Sequence, residues 1–153
     1  MRMGFDKASP VVRRWLGRIA SHGHVSAIEL MEEARREGLD PKGTLSFEIK
    51  SLNVVLWAGL SSDACDALDE LRETKMTEIH AASLLVYLAD GGMLRLPLVK
   101  KVPKKGYKKP HWAPVVWHHD PMLKETRDDI SKWYRDKQIA EGFRGPIRVA
   151  TAP

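Results

Sequence analysis

A chain of 153 residues, 43% hydrophobic and 29% charged, is large enough to bury one sizeable core or two small ones, and this composition argues against general disorder. The formal net charge of +5 favours polyanionic partners such as nucleic acid, because a summed positive potential attracts them before specific contacts form. The single cysteine, Cys65, excludes an intramolecular disulfide and a zinc site built from cysteines. Apolar runs of signal-peptide or membrane length are lacking, so we expect one soluble, cytoplasmic domain over residues 1–153.

Two helices are predicted in the N-terminal part, which we place at residues 9–60. Ser9 precedes a proline, a pair typical of a helix start because serine accepts from free amides and proline needs no N–H partner there. Ser26 and Glu29 form a capping box that predicts the start of the second helix. The polar side of the first helix, expected to be solvated or to extend a basic surface, carries Arg13, Arg14 and Arg18.

The next stretch permits two interpretations. Apolar residues at helical spacing predict a third helix over residues 44–58. Leu45, Phe47 and Ile49 also alternate with polar residues, which is typical of a strand. A strand in the first half of this stretch therefore stays open.

The part at residues 61–118 is predicted to hold two helices followed by a β-hairpin. A serine pair beginning at Ser61 precedes a short acidic helix. Apolar spacing then predicts a helix over residues 77–90. Alternation at the start of that range also allows a short strand followed by a helix from about Ala82.

The predicted hairpin occupies residues 93–117. Two runs rich in apolar, β-branched and aromatic residues flank a loop punctuated by glycine and proline. The loop contains no acid, so a hairpin would hold a strongly positive tip in solvent, either to contact phosphates or to protect the β-edge from aggregation. The basic residues of this tip are Lys100, Lys101, Lys104, Lys105, Lys108 and Lys109.

A last helix is predicted within residues 119–141, again after an aspartate and a proline. The tail at residues 142–153 is short, basic and rich in glycine and proline, so we expect it to become ordered only against a partner or a second copy. The predicted fold class is therefore α+β: mainly α, with one small antiparallel β-hairpin.

The order of these elements resembles the winged helix-turn-helix family of DNA-binding domains over residues 44–118. The resemblance implies helices at residues 44–58, 62–73 and 77–90 with the hairpin as the wing. An alternative set of three helices is residues 9–21, 26–37 and 44–57. In that family the last helix enters the major groove and the wing follows the phosphates. The corresponding solvent side here lacks the arginine that often contacts guanine, which implies weak specificity or a protein contact. That side carries Lys75, Thr77, His80 and Ser83.

These patterns predict a non-enzymatic DNA-binding protein, either a transcriptional regulator or an accessory factor in DNA maintenance. Tyr107 lies between lysine pairs and is a candidate for stacking on a base. Of Trp112 and Trp117, we expect at least one in the core and the other as an anchor for a partner. A phage- or plasmid-type inhibitor or adaptor, with its basic finger in a nucleic-acid channel or an acidic groove, fits the sequence equally well. Homodimerisation is a further expectation if the target is palindromic.

Catalysis and metal binding are not predicted. The sequence contains no GxSxG, Walker loop, dinucleotide glycine fingerprint or HExxH. Imidazole and carboxylate ligands occur close together, but adjacent histidines of a strand point to opposite faces, and a specific ligand spacing is missing. These residues are His111, His118, His119 and Asp120. We predict no enzyme, no metal, no cofactor and no membrane partner.

Overall fold

The computed structural model describes residues 2–142, so the predicted tail lies outside the described part except for its first residue. The helices of that part are α1 (Arg2–Lys7), α2 (Pro10–His22), α3 (Ala27–Arg36), α4 (Ser62–Glu73), α5 (Leu84–Asp90) and α6 (Lys124–Gly142). Its strands are β1 (Val25–Ser26), β2 (Lys42–Ile49), β3 (Val54–Leu60), β4 (Thr77–Ala81), β5 (His111–Trp112) and β6 (Val115–His119). No helix among these residues is long and apolar enough to cross a bilayer.

The predicted α+β class is confirmed, and so are the helix starts that rest on serine caps. Ser9, Ser26 and Ser61 each accept a hydrogen bond from a backbone N–H three residues ahead, at 3.4, 3.2 and 3.1 Å. Glu29 completes the capping box by accepting from the N–H of Ser26 at 3.3 Å. These caps depend on local chemistry alone, which is why the sequence is sufficient to find them.

The helix predicted over residues 44–58 is wrong, because this stretch forms the antiparallel pair β2 and β3. A 3-10 turn, Lys50–Leu52, joins the strands, and Asn53 adopts the left-handed conformation at φ 55°. Most residues of β3 are apolar, so they match a helical spacing and a buried strand equally well. The alternation in β2, which favoured a strand, was the better indicator.

The range 77–90 follows the alternative that the sequence left open, a short strand and then a helix. β4 pairs antiparallel with β6, and its Ile79 lies opposite Trp117. Ser83 then caps α5 by accepting from the N–H of Leu85 at 3.1 Å. The single helix over residues 77–90 is therefore wrong.

The hairpin predicted over residues 93–117 is not formed either. Its first run contributes one isolated bridge, from Leu98 to Trp112. Its second run divides at Pro114: β5 pairs parallel with β3, whereas β6 pairs antiparallel with β4 and β1. Four prolines within residues 97–114 remove the N–H groups that a regular ladder requires. The lysine-rich tip is consequently part of the loop that connects α5 to β5.

Two three-stranded sheets organise the chain, with strand orders β1-β6-β4 and β2-β3-β5. In the first sheet, β1 and β4 each follow a long helix and precede a serine-capped helix, so β6 joins two helix–strand–helix units. The core fills the space between the sheets and helices. Its largest fully buried aromatic side chains are Trp15, Tyr87, Trp112 and Tyr134.

Helix α6 packs directly on α2. A Cβ added at Gly17 would lie 2.5 Å from the Cβ of Tyr134, so the two helices approach as closely as glycine allows. Arg14, which the sequence placed on a solvated or basic surface, is instead fully buried. Its guanidinium donates to the carboxylates of Glu33 (2.6 Å), Glu37 (3.1 Å) and Glu141 (2.6 Å).

Candidate nucleic-acid interface

The segment at residues 91–119 concentrates the positive charge of the chain. It contains seven of the 25 Lys and Arg residues and none of the 20 Asp and Glu residues, which leaves 18 basic and 20 acidic residues elsewhere. Six of the seven cations form three adjacent pairs, each four positions after the last, and every one is exposed. We call residues 97–110, which hold these six lysines, the lysine loop.

The lysine loop is fixed to the second sheet at both of its ends. At its start, the N–H of Val99 donates to the carbonyl of Trp112, and the N–H of Trp112 donates to the carbonyl of Pro97, both at 2.8 Å. Near its end, the N–H of Tyr107 donates to the carbonyl of Leu52 at 2.9 Å. These bonds hold the lysines on an ordered surface, so less conformational entropy is lost when an anion binds.

A glycine permits the close approach of the loop to the turn before β3. Gly106 has φ +79°, and a Cβ there would lie 2.6 Å from the Cα of Leu52. Any other residue would therefore be strained and would push the loop from its support. Asn53 adds a side-chain hydrogen bond to the carbonyl of Tyr107 at 3.3 Å.

Tyr107 organises the loop from inside. Its ring stacks on His111 with centroids 3.6 Å apart and planes 10° apart. Its hydroxyl donates to the carbonyl of Lys101 at 2.9 Å and accepts from the N–H of Lys100 at 3.3 Å. Stacking of this ring on a base stays a prediction, and one ring face is already covered by His111. The observed contacts make Tyr107 a residue that positions lysines.

The residues assigned to a recognition helix are not on a helix face. Thr77 and His80 belong to β4, Lys75 precedes that strand with φ 56°, and Ser83 caps α5. β4 lies in the first sheet, whereas the lysine loop is attached to the second. The structure therefore does not join these four residues and the six lysines in one helix-and-wing arrangement.

Both tryptophans proposed as partner anchors are core residues. Trp112 is 0% exposed and Trp117 2% exposed. The indole N–H of Trp112 donates to the carbonyl of Leu56 at 3.3 Å, and its ring packs edge-on against Tyr87 with centroids 5.2 Å apart. Neither tryptophan offers surface to a partner. Among the exposed apolar side chains, three lie next to one another on the short helix α5: Leu85 (72% exposed), Val86 (36%) and Leu88 (48%).

The predicted ligand-like residues do not converge either. His111 stacks on Tyr107, and Asp120 caps the next turn by accepting from the N–H of Met122 at 2.9 Å. His119 is buried, with one ring nitrogen 3.2 Å from the carbonyl of Leu123 and the other without a partner. Residues 2–142 contain no group of three ligating side chains with geometry for a metal ion.

A cluster of imidazoles covers one face of the first sheet. His118 on β6 stacks on His80 of β4 with centroids 4.6 Å apart. On the other side, its Nε2 lies 2.7 Å from the Nε2 of His24, which precedes β1. Burial lowers the pKa of His118, and both neighbouring imidazoles lower it further, while Glu78 acts in the opposite direction. Burial is also the main cause that lowers the pKa of His22 and His119.

We expect the protein to lose stability as the pH falls below about 6.5, the ordinary pKa of histidine. These three imidazoles bind protons less readily in the folded state than in the unfolded chain, so acid favours unfolding. Urea unfolding at a series of pH values measures the effect, and His118→Gln should flatten the profile. Constant stability between about pH 7 and about pH 5, above the range where carboxylates titrate, would contradict this expectation.

None of the known protein-family models matches this sequence, and neither the curated proteins nor the solved structures contain a match. The functional argument consequently rests on the residues of this chain alone. Their most unusual feature is the anchored, exposed and acid-free lysine loop.

Proposed function

We propose that this protein is a non-enzymatic nucleic-acid-binding protein that contacts the phosphates of duplex DNA with its lysine loop. The observation that supports this most directly is the charge distribution: seven cations and no acid lie within residues 91–119, and the six lysines are exposed on an anchored surface. A lysine that contacts a phosphate carries no information about the base sequence, and each neutralised phosphate releases counterions.

Sequence-independent binding follows from the same geometry. The range 77–90, assigned to a recognition helix, begins as a strand, and α5 carries apolar side chains where a DNA-reading helix carries polar ones. An accessory role in DNA maintenance therefore suits the protein better than site-specific regulation. A cytoplasmic location, where DNA is accessible and a free thiol is stable, belongs to this proposal.

The test is fluorescence anisotropy of a random-sequence DNA duplex over a series of salt concentrations. If all six lysines contact phosphates, the slope of log K against log salt is about −5. Replacing Lys104, Lys105 and Lys108 by glutamate should make the slope about −3 or shallower and weaken binding at least roughly tenfold.

A matched control distinguishes the effect of the loop lysines on DNA binding from the effect of the protein's net charge. Lys7, Lys124 and Lys132 are exposed on α1 and α6, and changing them to glutamate alters the net charge by the same amount. We expect this control to retain the wild-type slope. Equal losses of DNA affinity in both triple variants, or no DNA binding by the wild type at low salt, would overturn the proposal.

A second candidate is a protein-interaction module such as a phage- or plasmid-type inhibitor or adaptor. The exposed apolar side of α5 favours it, since Leu85 and Leu88 are 72% and 48% exposed and apolar patches are typical of protein contacts. In that case the lysine loop enters an acidic groove or a nucleic-acid channel of the partner. Under this second candidate function, we expect the wild-type protein to show no DNA binding in the salt series.

A further inference from the structure

The outer edge of β4 is open for another strand. β4 is an edge strand in the order β1-β6-β4. The N–H of Ala82 donates to the carbonyl of Pro114, and the N–H of Asp120 donates to the carbonyl of Met76, both at 2.9 Å. Because hydrogen-bonding direction alternates along an antiparallel strand, even-numbered residues face β6 and odd-numbered ones face outward. Thr77, Ile79 and Ala81 therefore direct their backbone groups away from the sheet.

We propose that a second copy of this chain pairs with this edge, β4 against β4, about a twofold axis at Ile79. Antiparallel pairing in this register places Thr77 opposite the partner's Ala81 and forms about six main-chain hydrogen bonds. The two sheets then join into one sheet of six strands.

The side chains make this register self-complementary. Glu78 comes opposite the partner's His80, twice across the axis, at positions where the Cα atoms of a strand pair are only about 4.5 Å apart. Within one chain the same two side chains already attract each other, with His80 Nε2 3.1 Å from Glu78 Oε1. Shifting the axis to Glu78 would instead place two carboxylates opposite each other, which is unfavourable.

The other face of β4 supplies an apolar contact. Ile79 lies opposite the buried Trp117 in the register with β6, yet is itself 40% exposed. At Ile79, therefore, an apolar side chain at the edge of the core is exposed to solvent. Under the twofold axis, Ile79 meets the partner's Ile79 and extends the core across the junction.

β4 also lacks three features that commonly keep edge strands from pairing, namely a β-bulge, a proline and a lysine. Its register with β6 is continuous, and it contains neither proline nor lysine. The edge strand β2 of the second sheet differs, because its pairing with β3 has register shifts and it begins with Lys42. Of these two edges, β4 is the one suited to a second copy.

Sedimentation velocity over a range of concentrations tests the association. Wild-type protein should shift from the 17.3 kDa of one chain towards twice that mass. H80E places two carboxylates opposite each other on both sides of the axis, so we expect the dissociation constant to rise at least roughly tenfold. E78K/H80E places a lysine opposite each new carboxylate and should restore the dimer. A wild type that stays monomeric, or an H80E variant that dimerises normally, would overturn the interface.

Cross-linking tests the register independently of affinity. In a C65S background, I79C places two thiols across the axis at a Cα separation of about 5.5 Å, within disulfide range. T77C is the matched control, since that residue faces the partner's Ala81 and is too far from its own equivalent. Oxidation should yield a covalent dimer for I79C only. Cross-linking of T77C, or of neither variant, would refute this register.

Discussion

Arg14→Ala should lower the free energy of unfolding by about 3–5 kcal/mol, because the buried carboxylate of Glu33 loses its closest cation and keeps only the longer contacts with Arg18 (3.4 Å) and Arg36 (3.7 Å). Glu33 is 2% exposed at its side chain and bonds to the Arg14 Nε at 2.6 Å. Glu141 accepts from the same guanidinium, and this contact holds the pKa of Glu141 below its ordinary value. Removing Arg14 therefore weakens the junction of α2, α3 and α6 at once.

Urea unfolding followed by circular dichroism measures this loss. Arg13→Ala is the matched control, since the neighbouring arginine is only half-buried, and a change within about 0.5 kcal/mol is expected there. A loss below about 1 kcal/mol for Arg14→Ala would mean that water replaces the guanidinium in this site, contrary to its burial.

Trp112→Ala should lower the free energy of unfolding by about 3–5 kcal/mol, the usual range for removing a large buried aromatic side chain. The ring is fully buried against Tyr87 and Trp57, and the backbone of the same residue holds the start of the lysine loop. The cavity left by the indole lies directly under the attachment point of the loop. We therefore expect weaker DNA binding as well, at temperatures where the variant remains folded.

Thermal and urea unfolding give the stability, and anisotropy at constant salt gives the affinity. Trp133→Ala removes the same ring from a half-buried position on α6 and should cost less without changing DNA affinity. A Trp112→Ala variant that keeps wild-type stability would show that the indole is not part of the core.

Local chemistry in the sequence is sufficient for part of this fold. Serine caps, the capping box and the α+β class follow from short-range patterns and are confirmed. The strand β3 was missed because almost uniform apolarity over residues 54–60 does not distinguish a helical period from a strand period, whereas the alternation in β2 had left a strand open there. Parallel pairing of β5 with β3 joins residues far apart in sequence, and no local signal identifies it.

The candidate site, too, could be predicted from the sequence only in part. The six lysines and the absence of acids between them are visible in the sequence. The support for the loop is not, since it comes from Leu52 and Asn53, more than fifty positions from Tyr107 and His111. The prediction that Arg14 is exposed was wrong for a related reason. Helical periodicity placed Arg14 on a polar face, but the carboxylates that bind it there belong to α3 and α6, which are distant in the sequence.

The ion pair between Arg14 and Glu141 spans 127 positions of the chain, which has a consequence for folding during synthesis. Until α6 has left the ribosome, α2 exposes the apolar residues that α6 later covers, and the Arg14 guanidinium lacks its contact with Glu141. Contacts between such distant segments form late and slow folding, because a long loop must close first. Nascent chains that end before α6 should therefore be the most sensitive to proteolysis and the most dependent on chaperones.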